Sequence, residues 1–426
     1  MGLKIGLCGA GQFGSQFVPV FQRHPGVDEV YLADVLPERL ALQAAKLGVA
    51  KTFDSLEALC ASDCDCVALF TQRWLHAPQA IAALKAGKHV YSAVPAAVTL
   101  EELGELEATV RSTGLIYMLG ETSYYRAQTT FCRDKFTAGE FGRFVYGEGQ
   151  YHHDMAHFYA SYMFSGGDEW KRTASFPPML YPTHSVAFVL GVTFRRMTHV
   201  SCFGQVDEHP DGVFEAEMSL WGNTQSNQSA LFRTSDGGMA RVNEFRRVGA
   251  GDGRMTIMGT RAAYEEQPTQ GVYTCLDFPD GYADGPIAYR EAAQAVKLRH
   301  EDVSHIRRFE GVEITDENLG DLPREYLGKK FLGVSHAQPY WQLPVEFAGV
   351  PNGHDGTHVF LVNDFVRCVL SLKLPPNHVW LAARYNAPGI VAHESAKRDG
   401  ERLAIPDFGV PPADWATMDE TQRLEE

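Results

Sequence analysis

The stretch Tyr181-Pro182-Thr183-His184 sets a phenol three residues before an imidazole. Proline suits the first turn of a helix, and residues three apart are neighbours on a helix face. Tyr181 at the cap and His184 one turn on can therefore face one cleft. An imidazole, with an ordinary pKa of about 6.5, suits proton transfer near neutrality. A phenol ionises near pH 10, so Tyr181 would need a neighbouring positive charge. The apolar run Ser185–Phe194 offers a plainer alternative, in which His184 is a satisfied histidine on a buried helix. Tyr151-His152-His153-Asp154 ends a strand, where successive side chains point to opposite faces. One of His152 and His153 can then line a cleft, but neighbours cannot chelate a metal from one face. His354 and His358 lead from a glycine-rich turn into a helix.

A second constellation lies at the N-terminus. Leu3, Ile5 and Leu7 form a short apolar run, and Gly9, Gly11 and Gly14 follow at G-x-G-x-x-G spacing, with Gln12 and Phe13 in the loop. Phe17, Val18, Val20 and Phe21 suit a helix lying on a sheet, and a second strand, Val30–Ala33, ends at Asp34. This is the dinucleotide-binding arrangement. Gly9 allows the tight turn, Gly11 admits a pyrophosphate, and Gly14 lets helix and strand pack closely. A carboxylate at Asp34 accepts from both ribose hydroxyls and repels a 2′-phosphate, which favours NAD over NADP. After the apolar strand Cys66–Phe70 come Thr71, Arg73, Trp74 and His76, at the carboxyl edge of the sheet where ligands bind. Arg73 and His76 contact cofactor or substrate, or cap the next helix. Trp74 stacks on a ligand ring or packs in the core.

These groups need a scaffold. Strands and helices alternate from Leu3 to Leu119, with strands also at Lys51–Phe53, Lys88–Ser92 and Ile116–Leu119, which predicts a doubly wound parallel sheet. Near Glu121 the pattern changes. Phe214–Leu220, Met239–Val248 and Arg254–Tyr264 alternate with a period of two, predicting an antiparallel sheet with one covered face. Residues 263–350 read as sheet plus loops, with an active-site flap as one option. Thr357–Leu372 and His378–Lys397 read as helices, and the tail after Pro406 as extended. The fold class is α/β, with residues 1–122 forming a Rossmann domain and 123–426 a second α/β domain on a large open antiparallel sheet.

Composition narrows the function. The chain has 426 residues, 45% hydrophobic and 21% charged, as in an ordinary globular protein. A formal net charge of −15 argues against nucleic acid or an anionic membrane as partner. No apolar run reaches bilayer length, and a strand beginning at Leu3 leaves no room for a secretory signal. The 8 cysteines then read as reduced thiols in a cytoplasmic protein. Cys60, Cys64 and Cys66 lack the paired spacing of a zinc site, so no metal is expected.

Three stretches point to a family. Gly-Ala-Gly-Gln-Phe-Gly with Asp34, Ala83–Pro95, and the late run from His358 to Pro376 resemble the glucose–fructose oxidoreductase/inositol dehydrogenase (Gfo/Idh/MocA) family. The resemblance implies NAD held by an N-terminal Rossmann domain, with Pro95 among the cofactor contacts. It also implies a sugar or polyol between the domains and a homodimer or homotetramer joined through the open sheet. Dehydrogenases of that family usually carry a lysine where this chain has Val94, and an aspartate where it has Leu180. Tyr181–His184, Gly147–Asp154 and Ile405–Phe408 instead resemble the NAD-dependent glycosidases of glycoside hydrolase family 109. In those, NAD oxidises a ring hydroxyl, the adjacent proton becomes acidic, the group at the anomeric carbon leaves, water adds, and the hydride returns. The resemblance assigns functional roles to Glu121, Tyr181 and His184, and a substrate-binding arginine near Lys171 or Arg172. Arg73, Lys171 and Arg172 would suit an anionic sugar. A net sugar or polyol dehydrogenase and a non-catalytic nucleotide sensor remain as alternatives.

Overall fold

The computed structural model describes residues 2–277, 297–320, 323–418 and Leu424. Six parallel strands form the first sheet: β1 (Leu3–Cys8), β2 (Val27–Ala33), β3 (Lys51–Phe53), β4 (Cys66–Leu69), β5 (His89–Ser92) and β6 (Tyr117–Leu119), in the order β3-β2-β1-β4-β5-β6. All four residues of β4 are buried, as expected of a strand covered on both faces. Helices α1 (Gly14–Arg23), α2 (Pro37–Leu47), α3 (Leu56–Cys60), α4 (His76–Lys85) and α5 (Leu100–Thr113) connect the strands. α1 turns Phe17, Val18, Val20 and Phe21 into the core. α5 starts with a capping box, Thr99 with Glu102, and stops at Gly114 in the left-handed conformation. The strand order reverses between β1 and β4, which opens a crevice at their carboxyl ends.

After α6 (Ala127–Thr137) the chain enters a nine-stranded sheet. It comprises β7 (Phe144–His153), β8 (Met197–Val206), β9 (Gln225–Thr234), β10 (Met239–Phe245), β11 (Gly251–Gly259), β12 (Ala262–Glu266), β13 (Gly271–Asp277), β14 (Lys297–Asp302) and the edge pair Leu403–Ala404. The pairing is antiparallel except between β7 and β10, which run parallel, so the sheet is mixed rather than purely antiparallel. Two short helices, α7 (Tyr159–Gly166) and α8 (Trp170–Ala174), follow β7, and α9 (Thr183–Thr193) lies across the covered face. A Cβ on Gly149 would stand 1.8 Å from the Ser185 carbonyl oxygen. Glycine there lets α9 sit directly on β7, and that contact fixes the site. The helix Val379–Lys397 is buried on every face through His393, as a helix enclosed by core must be. Its Asn386 accepts from the Ala96 amide at 2.7 Å and donates to the Ala97 carbonyl at 2.8 Å, pinning the turn after β5.

The strand expected at Phe214–Leu220 is absent. The amides of Met218 and Ser219 both turn back to the Glu215 carbonyl, and Leu220 donates to Arg172. Of the alternating apolar residues only Phe214 is buried, packed with Val213 on Ala174, while Ala216 and Leu220 are exposed. Arg254–Tyr264 is two strands, β11 and β12, rather than one. Residues 278–296 and 321–322, part of the stretch where a flap was expected, lie outside the described residues. Among the described residues no helix is long and apolar enough to cross a membrane.

Candidate active site

A cleft of about 890 Å³ runs from the Gly9–Gly14 loop to His354, between the two sheets. At one end it is built from backbone. Gly9 has φ +103°, and a Cβ there would lie 2.5 Å from the Phe70 carbonyl oxygen. A Cβ on Gly14 would lie 2.2 Å from the Gly9 oxygen, whereas one on Gly11 would meet nothing within 4 Å. Gly9 and Gly14 thus serve the turn and the helix–strand packing, while Gly11 leaves open space. The amides of Gly11, Gln12 and Phe13 find no acceptor among the described residues, so the start of α1 offers unpaired donors to an anion. Asp34 ends β2, buried, and accepts from the amides of Ala10 at 2.8 Å and Leu36 at 2.9 Å, leaving lone pairs toward the cleft. Open space at Gly11, unpaired amides and a carboxylate at the rim fit a dinucleotide.

The loop after β4 is tied down by His76. Its Nδ1 lies 2.9 Å from the Pro95 oxygen and its Nε2 3.2 Å from the Thr71 oxygen. Burial pushes its pKa down to about 4, so the ring is neutral and only one nitrogen donates. The Thr71 hydroxyl is spent on Gln79, and Phe13 packs edge-on to Phe17 and to His354.

The other end is built from side chains. Pro182 caps α9, which places His184 in the first turn and Tyr181 just before it. Glu121, fully buried at the end of β6, accepts at Oε1 from the Ser123 amide and from His184 Nδ1, both at 2.7 Å. Burial alone would raise the Glu121 pKa, but His184 and the donors around it outweigh burial and hold it below the ordinary value. The carboxylate keeps the ring proton on Nδ1, which leaves the Nε2 lone pair for the cleft. Tyr181 stands 5.3 Å from the His184 ring and Tyr151 5.0 Å from it. Burial lifts the Tyr181 phenol above its ordinary range, and the guanidinium groups of Arg73, 5.1 Å from the ring, and Arg246, 5.9 Å, draw it back only in part. Burial pushes Tyr151 up to about 12 in the same way. His153 lines the cleft and His354 closes it, with Nδ1 2.9 Å from His358 Nε2. Burial holds both well below the ordinary histidine value, so both are neutral.

Several sequence expectations are corrected. Lys171 and Arg172 lie outside the cleft: Lys171 Nζ donates to the Asp211 carbonyl at 2.6 Å and Arg172 pairs with Glu169 at 3.2 Å. The five-residue α8 turns them toward the loop 207–220. His152 lies on the opposite face of β7, stacked on Phe245 at 4.9 Å. Trp74 packs against Trp221 at 5.3 Å and Phe176 at 6.5 Å rather than lining the cleft. Pro95 contributes its carbonyl to His76, while Ala93 and Val94 form the wall. The missed residue is Arg246. It sits at the cleft, 3% exposed, with Nη2 2.7 Å from the buried Glu244. The signal lay in β10, where the apolar face of Ala240 and Val242 continues into two charges, Glu244 and Arg246.

Comparison with known proteins agrees with this geometry. Residues 3–121 match the model of the Gfo/Idh/MocA oxidoreductase family, described by its NAD-binding Rossmann fold. A glycosyl hydrolase family 109 protein of Saccharopolyspora erythraea is 24% identical, over 95% of this chain and 83% of its own. One from Solibacter usitatus is 26% identical, over 95% and 88%. Over residues 3–121 the chain carries the NAD-binding Rossmann fold of the Gfo/Idh/MocA family. The fold extends beyond the first sheet to proteins with solved structures. Levoglucosan dehydrogenase in complex with NADH and levoglucosan superposes with a TM-score of 0.69 at 16% identity, over 96% of this chain and all of that one. Scyllo-inositol dehydrogenase from Lactobacillus casei with NAD(H) and scyllo-inositol gives 0.64 at 15%, over 95% and 99%. No lysine lines the cleft among the described residues, and Val94 stands in its wall.

Proposed function

We propose that the protein is an NAD-dependent enzyme that opens its reaction on a ring hydroxyl of a sugar or glycoside and cleaves the glycoside without net redox change. The observation that carries the reading is the Glu121–His184 pair, 2.7 Å apart, with the imidazole's free nitrogen in the cleft that the glycine loop and Asp34 also line. Gly9–Gly14 and Asp34 would hold NAD, which would supply a hydride acceptor able to hand the hydride back. His184 Nε2 takes the hydroxyl proton, and Glu121 stabilises the imidazolium that results. Tyr181, flanked by Arg73 and Arg246, either shares that task or takes the proton from the adjacent carbon once it has become acidic. Burial keeps its phenol protonated, so either role requires that it first give up that proton to water in the cleft beside the two guanidiniums. The same groups return these protons in the reverse sense as water replaces the leaving group. Residues 1–122 are the cofactor domain in this reading and 123–426 the sugar domain. Phe203, Leu231 and Met239, exposed on strands of the second sheet, suit contact with a second copy.

The family 109 relatives favour cleavage, and the two solved dehydrogenases share the fold alone. Incubation with NAD and a panel of aryl glycosides separates the readings. Release of aglycone with no accumulating NADH, and solvent deuterium entering the carbon beside the anomeric centre, are expected. NADH formed in proportion to substrate would instead establish a net dehydrogenase. NAD binding with neither product would leave a sensor.

A further inference from the structure

Three arginines line the cleft, and one differs from the others. Arg39 stands 3.6 Å from Asp34, and Arg246 is paired with Glu244. Arg73 makes no hydrogen bond or ion pair with any described residue. Its contacts are aromatic faces: Phe176 at 4.9 Å, Tyr181 at 5.1 Å and Tyr162 at 5.7 Å. Burial and the nearby Arg246 both work against its charge. The carboxylates that line the cleft, Asp34 and Glu57, lie at the dinucleotide end, and none lines the end around Tyr181 and His184. A guanidinium left unpaired in a partly desolvated site is costly, and its planar fork matches a carboxylate or sulfate oxygen pair. Two of the three rings that hold Arg73, Phe176 and Tyr181, lead directly into the start of α9, and Tyr181 is also the neighbour of His184.

Resting on the sugar reading above, we propose that Arg73, with Arg246 beside it, binds an anionic group on the substrate, so that the sugar acted on carries a carboxylate or a sulfate ester. Tyr181 stands between the two centres, 5.1 Å from the Arg73 guanidinium and 5.3 Å from the His184 ring. One sugar can therefore present a hydroxyl to His184 and its anionic group to Arg73. The aromatic faces hold the guanidinium in place before the ligand arrives, which limits the ordering cost of binding.

The test uses matched pairs: aryl glucuronide against glucoside, galacturonide against galactoside, and a 6-sulfated glucoside, each with the NAD-loaded protein. The same preference is read by calorimetric titration with glucuronic acid, galacturonic acid, glucose 6-sulfate and their neutral parents, which needs no turnover. The anionic member of at least one pair should be favoured. Arg73→Ala should lower its kcat/KM or affinity at least about 30-fold while moving the neutral member much less, and Arg73→Lys should recover part of the loss. A carboxylate preference and a sulfate preference both uphold the anion site and identify which group fills it. Equal or better binding of neutral sugars, or binding of no sugar, overturns the proposal. So does an Arg73→Ala variant whose NAD affinity falls with the anionic-to-neutral ratio unchanged, since that assigns Arg73 to the cofactor. Failure of the redox-neutral reading would appear separately, as accumulating NADH on whichever sugar binds.

Discussion

The two ends of the cleft are made differently. The dinucleotide end uses backbone from one short stretch: three glycines, the amides at the start of α1, and Asp34 at the end of the next strand. The other end uses side chains from segments far apart in sequence, with Glu121 after β6, Tyr151 and His153 on β7, Tyr181 and His184 at α9, and Arg246 after β10. The first should tolerate change in side chains, Asp34 apart, but none in backbone space. The second depends on individual functional groups held by long-range packing. Ligand binding and chemistry should therefore fail separately when one end or the other is altered.

The largest effect is expected at His184. His184→Ala should lower kcat by about 10³-fold, within what general acid–base catalysis supplies, with NAD affinity within a factor of about two of the parent by titration. Near-normal turnover would remove the imidazole from the mechanism. At the opposite end, Gly11→Val fills space that is open in the fold. It should melt like the parent yet bind NAD about tenfold or more weakly. Gly14→Ala, whose Cβ would lie 2.2 Å from the Gly9 oxygen, should instead lose about 1–3 kcal/mol of stability in denaturant melts. A Gly11→Val protein that binds NAD normally would break the backbone-built description of this end.

A smaller, pH-dependent effect is expected behind Arg246. Burial raises the Glu244 pKa from 4.5 to about 7 in the folded protein. The unfolded chain gives up that proton first, so this group's contribution to stability falls as pH rises from about 4.5 to about 7. The melting temperature of Glu244→Gln relative to the parent should therefore climb by a few degrees across that window. A difference independent of pH would mean that Glu244 is already ionised at its acid end. The smallest effect belongs to Lys171→Ala, which should change kcat/KM less than about twofold, since Lys171 bonds the Asp211 carbonyl outside the cleft. A loss beyond tenfold would return that lysine to the substrate.

The legible features are those set by local geometry. Gly9, Gly14 and Asp34 could be read from spacing because a tight strand–turn–helix admits few residue types, and Tyr181 and His184 because a proline fixes the start of α9. Short-range alternation misled at Phe214–Leu220, where turn hydrogen bonds replace the ladder and the alternating apolar residues after Phe214 are not buried. The family resemblance misled over Lys171 and Arg172, where nearness in sequence to Tyr181 stood in for nearness in space. His152 and His153 could be assigned to opposite faces but not to a side, because that depends on which face of β7 receives α9.

The amino-acid sequence by itself determined the parallel sheet, the dinucleotide loop and the absence of an amine at position 94, since each follows from residue type and spacing within a few turns of chain. Only the tertiary structure decided that Glu121 holds the His184 ring, that Arg246 rather than Lys171 or Arg172 stands beside Tyr181, and that Arg73 lacks an acidic partner among the described residues. The first two of those relations join residues 63 and 65 positions apart, and close packing such as Gly149 against Ser185 sets them. No local propensity encodes a distance of that kind.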